Sequence, residues 1–238
     1  MQKIIALLRE FFFPRGCALC GKALINADES FYGLCEDCRE GLREEEGEKC
    51  DLCGRPLISE IGRCISCRKG GEQFYDRLVV VFPYTGKYQK LISSYKFDGH
   101  LALGNYFAEI LAEKIMEIVK EIPSSEVAIV PVPPRPGKIR KNGWDQVEYI
   151  VKKLKIILGQ RVKIEKCLKR LNSKAQKQLN REARIKNLKG RILLRGKALK
   201  NSIVIDDVLT TGATMNVCAQ ALKEGGSEKV IGLCLFYG

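Results

Sequence analysis

Histidine is almost missing from these 238 residues: His100 is the only one. Mixed Cys–His zinc sites are therefore excluded for all but one position, and any metal site built from cysteines should be all-cysteine. His100 reads as a loop residue, and no convincing general base emerges from the sequence. Long apolar runs are also lacking, so no segment reads as a membrane span. The first residues, Met1 to Phe13, carry Lys3, Arg9 and Glu10 and have no small-residue cleavage site. They read as a packing helix, with a membrane-surface helix as the alternative, rather than as a signal peptide. Without an export signal the expected compartment is the cytoplasm, where cysteines stay reduced. Low-complexity linkers are absent, and so are internal repeats beyond a paired cysteine unit.

Acidic residues are scarce in one region. The net charge is +13, but it is unevenly spread. From Arg135 to Lys200 there are 22 Lys or Arg against 4 Asp or Glu, a local charge of +18; the rest of the chain holds 19 against 24. Such a block attracts polyanions, either a polyphosphate ligand or a nucleic-acid backbone. Aromatic residues are thin in it, only Trp144 and Tyr149, which argues against a stacking platform for single strands.

Cysteine, by contrast, is plentiful. Of eleven, eight form C-x-x-C pairs: Cys17/Cys20, Cys35/Cys38, Cys50/Cys53 and Cys64/Cys67. A C-x-x-C turn aims two sulfurs at one point, and two such turns complete the tetrahedral four-sulfur set that zinc favours. Two structural zinc ions are expected. Neighbouring pairs are the natural partners, although spacing alone leaves a crossed arrangement open. The remaining Cys167, Cys218 and Cys234 lie in apolar surroundings and read as core. A head this small buries little core of its own, so metal should supply much of its folding energy.

After Gly70-Gly71 the pattern changes. Strands are expected at Arg77 to Tyr84, Val127 to Val132, Asn201 to Asp206 and Lys229 to Tyr237, with short ones within Arg161 to Leu171 and at Ile192 to Leu194. Helices are expected at Lys87 to Tyr95, Leu101 to Ile122, Trp144 to Leu158 and Thr214 to Glu224. A basic loop should run from the Pro-rich stretch to Asn142-Gly143, and Gln176 to Leu188 reads as a polar hood. Alternating strands and helices imply an α/β domain with a mainly parallel sheet. The division is thus a cysteine-rich head with its leading helix, residues 1–70, and an α/β domain, residues 71–238.

The most informative segment is Ile203-Val204-Ile205-Asp206-Asp207-Val208-Leu209-Thr210-Thr211-Gly212-Ala213-Thr214. A buried strand delivers two carboxylates to its carboxyl end, and a loop of hydroxyls and glycine leads into a helix. Such loops are where α/β sheets bind ligands. Loop amides and a helix N-terminus form an anion cradle, with Thr210, Thr211 and Thr214 as further donors. The carboxylates of Asp206 and Asp207 suit hydroxyl groups or a hydrated cation. A sugar phosphate meets both demands.

This segment resembles the phosphoribosyl-pyrophosphate signature of type I phosphoribosyltransferases. The C-x-x-C head, Val130-Pro131-Val132-Pro133-Pro134, Tyr95-Lys96-Phe97-Asp98-Gly99, Asn142-Gly143-Trp144-Asp145-Gln146, Lys169-Arg170, Gln176, Arg181, Arg184 and Asn187 narrow the resemblance to the ComF family over nearly the whole chain. One departure is that Asn142 stands where that family often has Arg.

The resemblance implies a type I phosphoribosyltransferase fold behind a double zinc ribbon. It implies phosphoribosyl transfer from phosphoribosyl pyrophosphate with Mg²⁺ to an acceptor that the sequence does not specify. In that reading Asp206 and Asp207 hold the ribose, Thr210, Thr211, Gly212, Ala213 and Thr214 wrap the 5′-phosphate, and Val208 and Leu209 belong to the same phosphoribosyl-pyrophosphate-binding run. The Pro131, Val132, Pro133, Pro134 loop with Arg135, Lys138, Arg140 and Lys141 neutralises the leaving pyrophosphate. Lys96, Arg170, Arg181 and Arg184 are further cationic candidates. The resemblance also implies a role in natural competence. The alternative is a non-catalytic factor that senses phosphoribosyl pyrophosphate and meets single-stranded DNA or a DNA-uptake helicase.

Overall fold

The computed structural model describes residues 16–44, 47–122, 127–171 and 190–238. The expected first helix and the hood stretch, with Gln176, Arg181, Arg184 and Asn187, lie outside the described residues.

Four apolar runs form most of a parallel five-stranded sheet: β1 (Arg77–Pro83), β2 (Val127–Pro131), β6 (Asn201–Leu209) and β7 (Lys229–Tyr237). The two-residue β3 (Lys163–Ile164) closes one edge, and the order is β1-β7-β6-β2-β3. Strands covered on both faces need apolar side chains on both, which is why these runs barely alternate. Ile129, Ile203, Ile205, Ile231 and Leu233 face one layer, whereas Val130, Val204, Val230 and Cys234 face the other.

The first layer is built by α4 (Gly86–Lys96), α5 (Leu103–Lys120) and α7 (Gln146–Leu158). Leu103, Phe107, Leu111, Ile115 and Ile118 recur at helical spacing along α5, and all are buried. Asp145 caps α7 by accepting from the Glu148 amide at 3.1 Å, so that helix starts two residues later than its apolar pattern suggests. The second layer is α8 (Ala213–Glu224) with the antiparallel ribbon of β4 (Leu168–Arg170) and β5 (Ile192–Leu194).

Two expectations are corrected. The basic loop after β2 contains a helical turn, α6 (Lys138–Asn142), set between Gly137 and Gly143, both at positive φ. And β6 does not stop at Asp206. It stays paired with β7 through Leu209 and Tyr237, whereas β2 leaves it at Pro131 and Ile205.

Among the described residues the head holds three short helices, α1 (Ala27–Tyr32), α2 (Glu36–Glu40) and α3 (Ile65–Lys69). It straddles the β1 edge of the sheet. Tyr32, Leu34 and Cys35 are buried with Leu103 and Phe107 on the first face, and Cys50, Leu52 and Cys53 with Leu78 and Val80 on the second. The Leu78 amide, on that edge strand, donates to the Leu52 carbonyl at 2.8 Å. An open sheet edge is thereby covered. No helix among the described residues is long and apolar enough to cross a membrane.

Candidate functional site

The chain leaves β2 toward β3 on one side and leaves β6 toward β7 on the other. The crevice at the carboxyl ends of β2 and β6 is therefore a topological switch point, where open α/β sheets take ligands. Because β2 ends at Pro131, the last residues of β6 have no strand neighbour on that side, and Asp206 and Asp207 stand half-buried in the gap.

The two acids are not equivalent. Asp207 Oδ2 lies 2.8 Å from Lys96 Nζ, with the two side chains 14% and 20% exposed. Asp206 Oδ1 accepts from the Asp207 amide at 2.9 Å. Burial first, and the charge of Asp207 second, push the Asp206 carboxyl up to about 7, against the pull of that amide and of Lys96. A carboxyl raised in this way beside a lysine-paired one is ready for a cation or a hydroxyl donor. Lys96 is set by its neighbours: the Tyr95 hydroxyl donates to the Gln146 carbonyl at 2.9 Å, and the Tyr95 ring meets Trp144 edge-on at 5.2 Å.

Beyond the acids, Thr210 is exposed, and Thr211, Gly212 and Thr214 are half-buried. Gly212 takes φ +73° and caps α8 without a side-chain bond. The Thr211 hydroxyl reaches the Ala213 amide only at 3.4 Å. The first amides of a twelve-residue helix thus face the loop without a strong internal acceptor, an arrangement suited to an anion.

A cation is buried nearby, within electrostatic reach of Asp206. Arg170, on β4, is largely desolvated; burial first, then the charge of Arg135, lowers its pKa. Its Nε is buried with no hydrogen-bond partner among the described residues. A buried guanidinium with an unmet donor favours an anionic ligand.

The cysteines gather into two clusters, Cys17, Cys20, Cys35 and Cys38, and Cys50, Cys53, Cys64 and Cys67, the sulfurs in each lying within 4.8 Å of one another. The sequence left neighbouring and crossed pairing open; the neighbours pair. Cys20 and Cys35, and likewise Cys53 and Cys64, have sulfurs 3.7 Å apart. Four thiolates about 2.3 Å from a tetrahedral zinc stand roughly 3.8 Å apart, so the donor sets fit the metal. Burial raises the Cys50 thiol, but the amides of Cys53, Cys64 and Leu52 outweigh it and bring it down to about 6. All eight are free thiols rather than disulfides. With four protein ligands and no open position, both are structural zinc sites.

The double zinc ribbon domain family matches residues 8–71. Competence protein ComFC of Streptococcus pneumoniae is 27% identical, covering 90% of this chain and 96% of that protein. Competence protein ComFC of Bacillus subtilis is 26% identical, covering 95% and 91% respectively. The chain is ComF-like along nearly its whole length. DNA utilization protein YhgH of Escherichia coli is 25% identical over 93% of the chain and 96% of that protein. A hypoxanthine-guanine phosphoribosyltransferase from Schistosoma mansoni, solved in complex with IMP, aligns at a TM-score of 0.30 and 11% identity, over 57% of this chain and 64% of that one.

In this ComF-like chain the expected site residues divide into groups. Asp206, Asp207, Lys96, Thr210, Thr211, Gly212 and Thr214 come together at the sheet edge. Leu209 and Ala213 are buried under the loop, leaving only their backbone to face a ligand. Lys138 is committed elsewhere, 2.6 Å from Asp145 and hydrogen-bonded to Gln146, where it braces the start of α7. Arg135, Arg140 and Lys141 are exposed. Arg181 and Arg184 lie outside the described residues. Arg55 is a residue that sequence reasoning missed: its guanidinium donates to the Thr210 carbonyl at 2.6 Å. No motif marks it, because the partners are 155 positions apart.

Proposed function

We propose that the chain binds phosphoribosyl pyrophosphate with Mg²⁺ and transfers the phosphoribosyl group to an acceptor. The observation that carries this reading is the pairing of an unequal acid pair, Asp206 and Lys96-bound Asp207, with the uncapped threonine loop that follows it. Asp206 and Asp207 accept from the ribose hydroxyls. Thr210 to Thr214 enclose the 5′-phosphate, and Arg135 and Arg170 face the pyrophosphate. Asp206 and Asp207 would hold a hydrated Mg²⁺, which would supply positive charge to offset the diphosphate. Charge that develops as the ribose becomes oxocarbenium-like is met by the carboxylates, and that of the departing pyrophosphate by the guanidiniums. The working division is a zinc head, 1–70, serving a phosphoribosyltransferase-type domain, 71–238, in the cytoplasm.

The test is a titration of phosphoribosyl pyrophosphate with and without Mg²⁺, comparing wild type with Asp206→Asn/Asp207→Asn. Wild type should bind, and the double variant should lose at least about 100-fold in affinity. Equal binding by both removes the site.

A second reading is favoured by the +18 block and by the names of the competence and DNA-utilization relatives. In it the chain senses the same ligand without turnover and meets single-stranded DNA or a helicase during DNA uptake. Retention of single-stranded DNA that falls steeply between about 50 and 200 mM salt, with no pyrophosphate released, would favour it.

A further inference from the structure

The two zinc sites touch different parts of the molecule. The first cluster sits against α4 and α5: Ser94 Oγ donates to the Ala18 carbonyl, Lys90 to the Leu19 carbonyl, and Asn105 to the Phe31 carbonyl. The second sits beside the threonine loop. Between Cys53, Cys64 and Cys67 on one wall and Thr210, Thr211 and Gly212 on the other lies a cleft of about 320 Å³, floored by Tyr75 and Leu78. One side chain crosses it to hydrogen-bond the loop. Arg55 Nη2 donates to the Thr210 carbonyl at 2.6 Å and to the Gly238 carbonyl at 3.0 Å. Gly238 in turn donates to the Leu209 carbonyl at 3.0 Å, so both ends of this tie close on the same turn of chain.

Arg55 is itself fixed by the metal knuckle. Its carbonyl accepts from the Cys50 amide, and the Gly54 amide donates to the Cys50 carbonyl, both at 2.8 Å. Gly54 takes φ +68°, and a Cβ there would stand 2.5 Å from the Leu78 carbonyl oxygen. Only glycine lets the knuckle press this closely against β1. The Arg55 stem therefore starts from a place set jointly by the second four-cysteine cluster and the sheet.

We infer that Arg55 is a positioning residue for the threonine loop, through which the second zinc ribbon, and not the first, sets the direction of the loop's amides. The reason is peptide geometry. A trans peptide points its carbonyl and its N–H in opposite directions. With the Thr210 carbonyl drawn toward Arg55, the Thr211 N–H must point away from the ribbon, to the side where a phosphoryl group would be received. Released from Arg55, the Thr210–Thr211 peptide is free to rotate and the donor is lost. The inference rests on the phosphate role given to the loop under the proposed function, although the tie itself does not.

The test uses the full chain, with both zinc ions bound in wild type and in the Arg55 variants. Amide hydrogen exchange is followed over residues 207–216, and ribose 5-phosphate and inorganic pyrophosphate are each titrated, for wild type, Arg55→Ala and Arg55→Lys. Arg55→Ala should keep two zinc ions, exchange the loop amides about ten-fold faster and bind ribose 5-phosphate about ten-fold more weakly. Pyrophosphate affinity should not move, which a general loss of structure would not spare. Arg55→Lys should recover part of both effects. Cys67→Ser should loosen the loop as Arg55→Ala does, and Cys38→Ser should leave it tight. Should either cysteine variant fail to fold, the two Arg55 variants decide alone. Loop exchange in Arg55→Ala equal to wild type overturns the inference. Faster exchange in a protein whose wild type takes up neither ribose 5-phosphate nor phosphoribosyl pyrophosphate supports the tie and removes the proposed function instead.

Discussion

Asp206 carries opposite consequences for stability and for binding. Its folded pKa, about 7, is far above the 3.8 of an ordinary aspartate, so the ligand-free fold prefers it neutral. The stability this gives is fully present below about pH 3.8 and is lost as pH rises to about 7. Above that range the folded protein holds a desolvated charge beside Asp207. Replacing Asp206 by Asn should therefore raise the melting temperature at pH 8 in magnesium-free buffer, by on the order of 2 kcal/mol or several degrees. The same change should weaken ligand binding at pH 8 the most, because the anion is the form that accepts from hydroxyls and cations. Wild-type affinity should rise as pH goes from 6 to 8, and that slope should vanish in the variant. Melting curves and titrations at three pH values check both halves; a variant less stable than wild type at pH 8 contradicts the account. At this scale the run of acids and threonines stands out in the sequence because its members are contiguous. Lys138 could not, since nothing in the order of residues told that Asp145 and Gln146 would take up its charge. Nor could Arg55, whose role depends on a fold that closes 155 positions of chain.

Elements were legible where burial is two-sided and long. The runs Val127–Pro131 and Lys229–Tyr237 admit few readings other than central strands, and α5 repeats its apolar face over five turns. The short helices of the head were not. α2 and α3 have five residues each, and their N-caps are Cys35 and Cys64, so the constraint that starts them is the metal cluster rather than helix propensity. The end of β6 was misjudged for a related reason. Charge at Asp206 suggests a strand end, but pairing with β7 continues to Leu209 because β7 remains apolar to Phe236. That pairing needs a close fit behind the site. Gly232 on β7 faces Leu78 and Met215, and a Cβ there would stand 2.3 Å from Leu78 Cδ2 and 2.8 Å from Met215 Sδ. Gly232→Ala should cost about 2 kcal/mol through overpacking, read as a lower denaturation midpoint. Gly232→Ala combined with Leu78→Ala should recover part of the loss, because the clash goes with the leucine side chain.

The molecule as a whole is less divisible than its sequence suggests. Cysteine spacing draws a boundary near Gly70, and a metal-dependent head on an independent α/β domain is the natural first picture. The core crosses that boundary twice. Tyr32 and Leu34 are buried against α5, and Leu52 against β1 and α8. Across the same seam, the Tyr32 hydroxyl donates to Glu109 at 2.6 Å, and the Tyr88 hydroxyl donates to the Arg43 carbonyl at 2.7 Å. Zinc loss must then be felt on both sides, since ribbons that unfold uncover Leu78 and Leu103 as well as their own side chains. Trp144 reports on this directly. It is the only tryptophan, it packs against Tyr95 and Tyr149, and it lies on the α4–α7 side rather than in the head. Stripping both zinc ions with a strong chelator should lower the melting temperature reported by Trp144 fluorescence by at least about 5 °C, in a single transition shared with far-ultraviolet circular dichroism. An unchanged Trp144 transition beside a separate, earlier melting of the head would show two independent units, and the shared core would then contribute nothing measurable to the stability of the sheet.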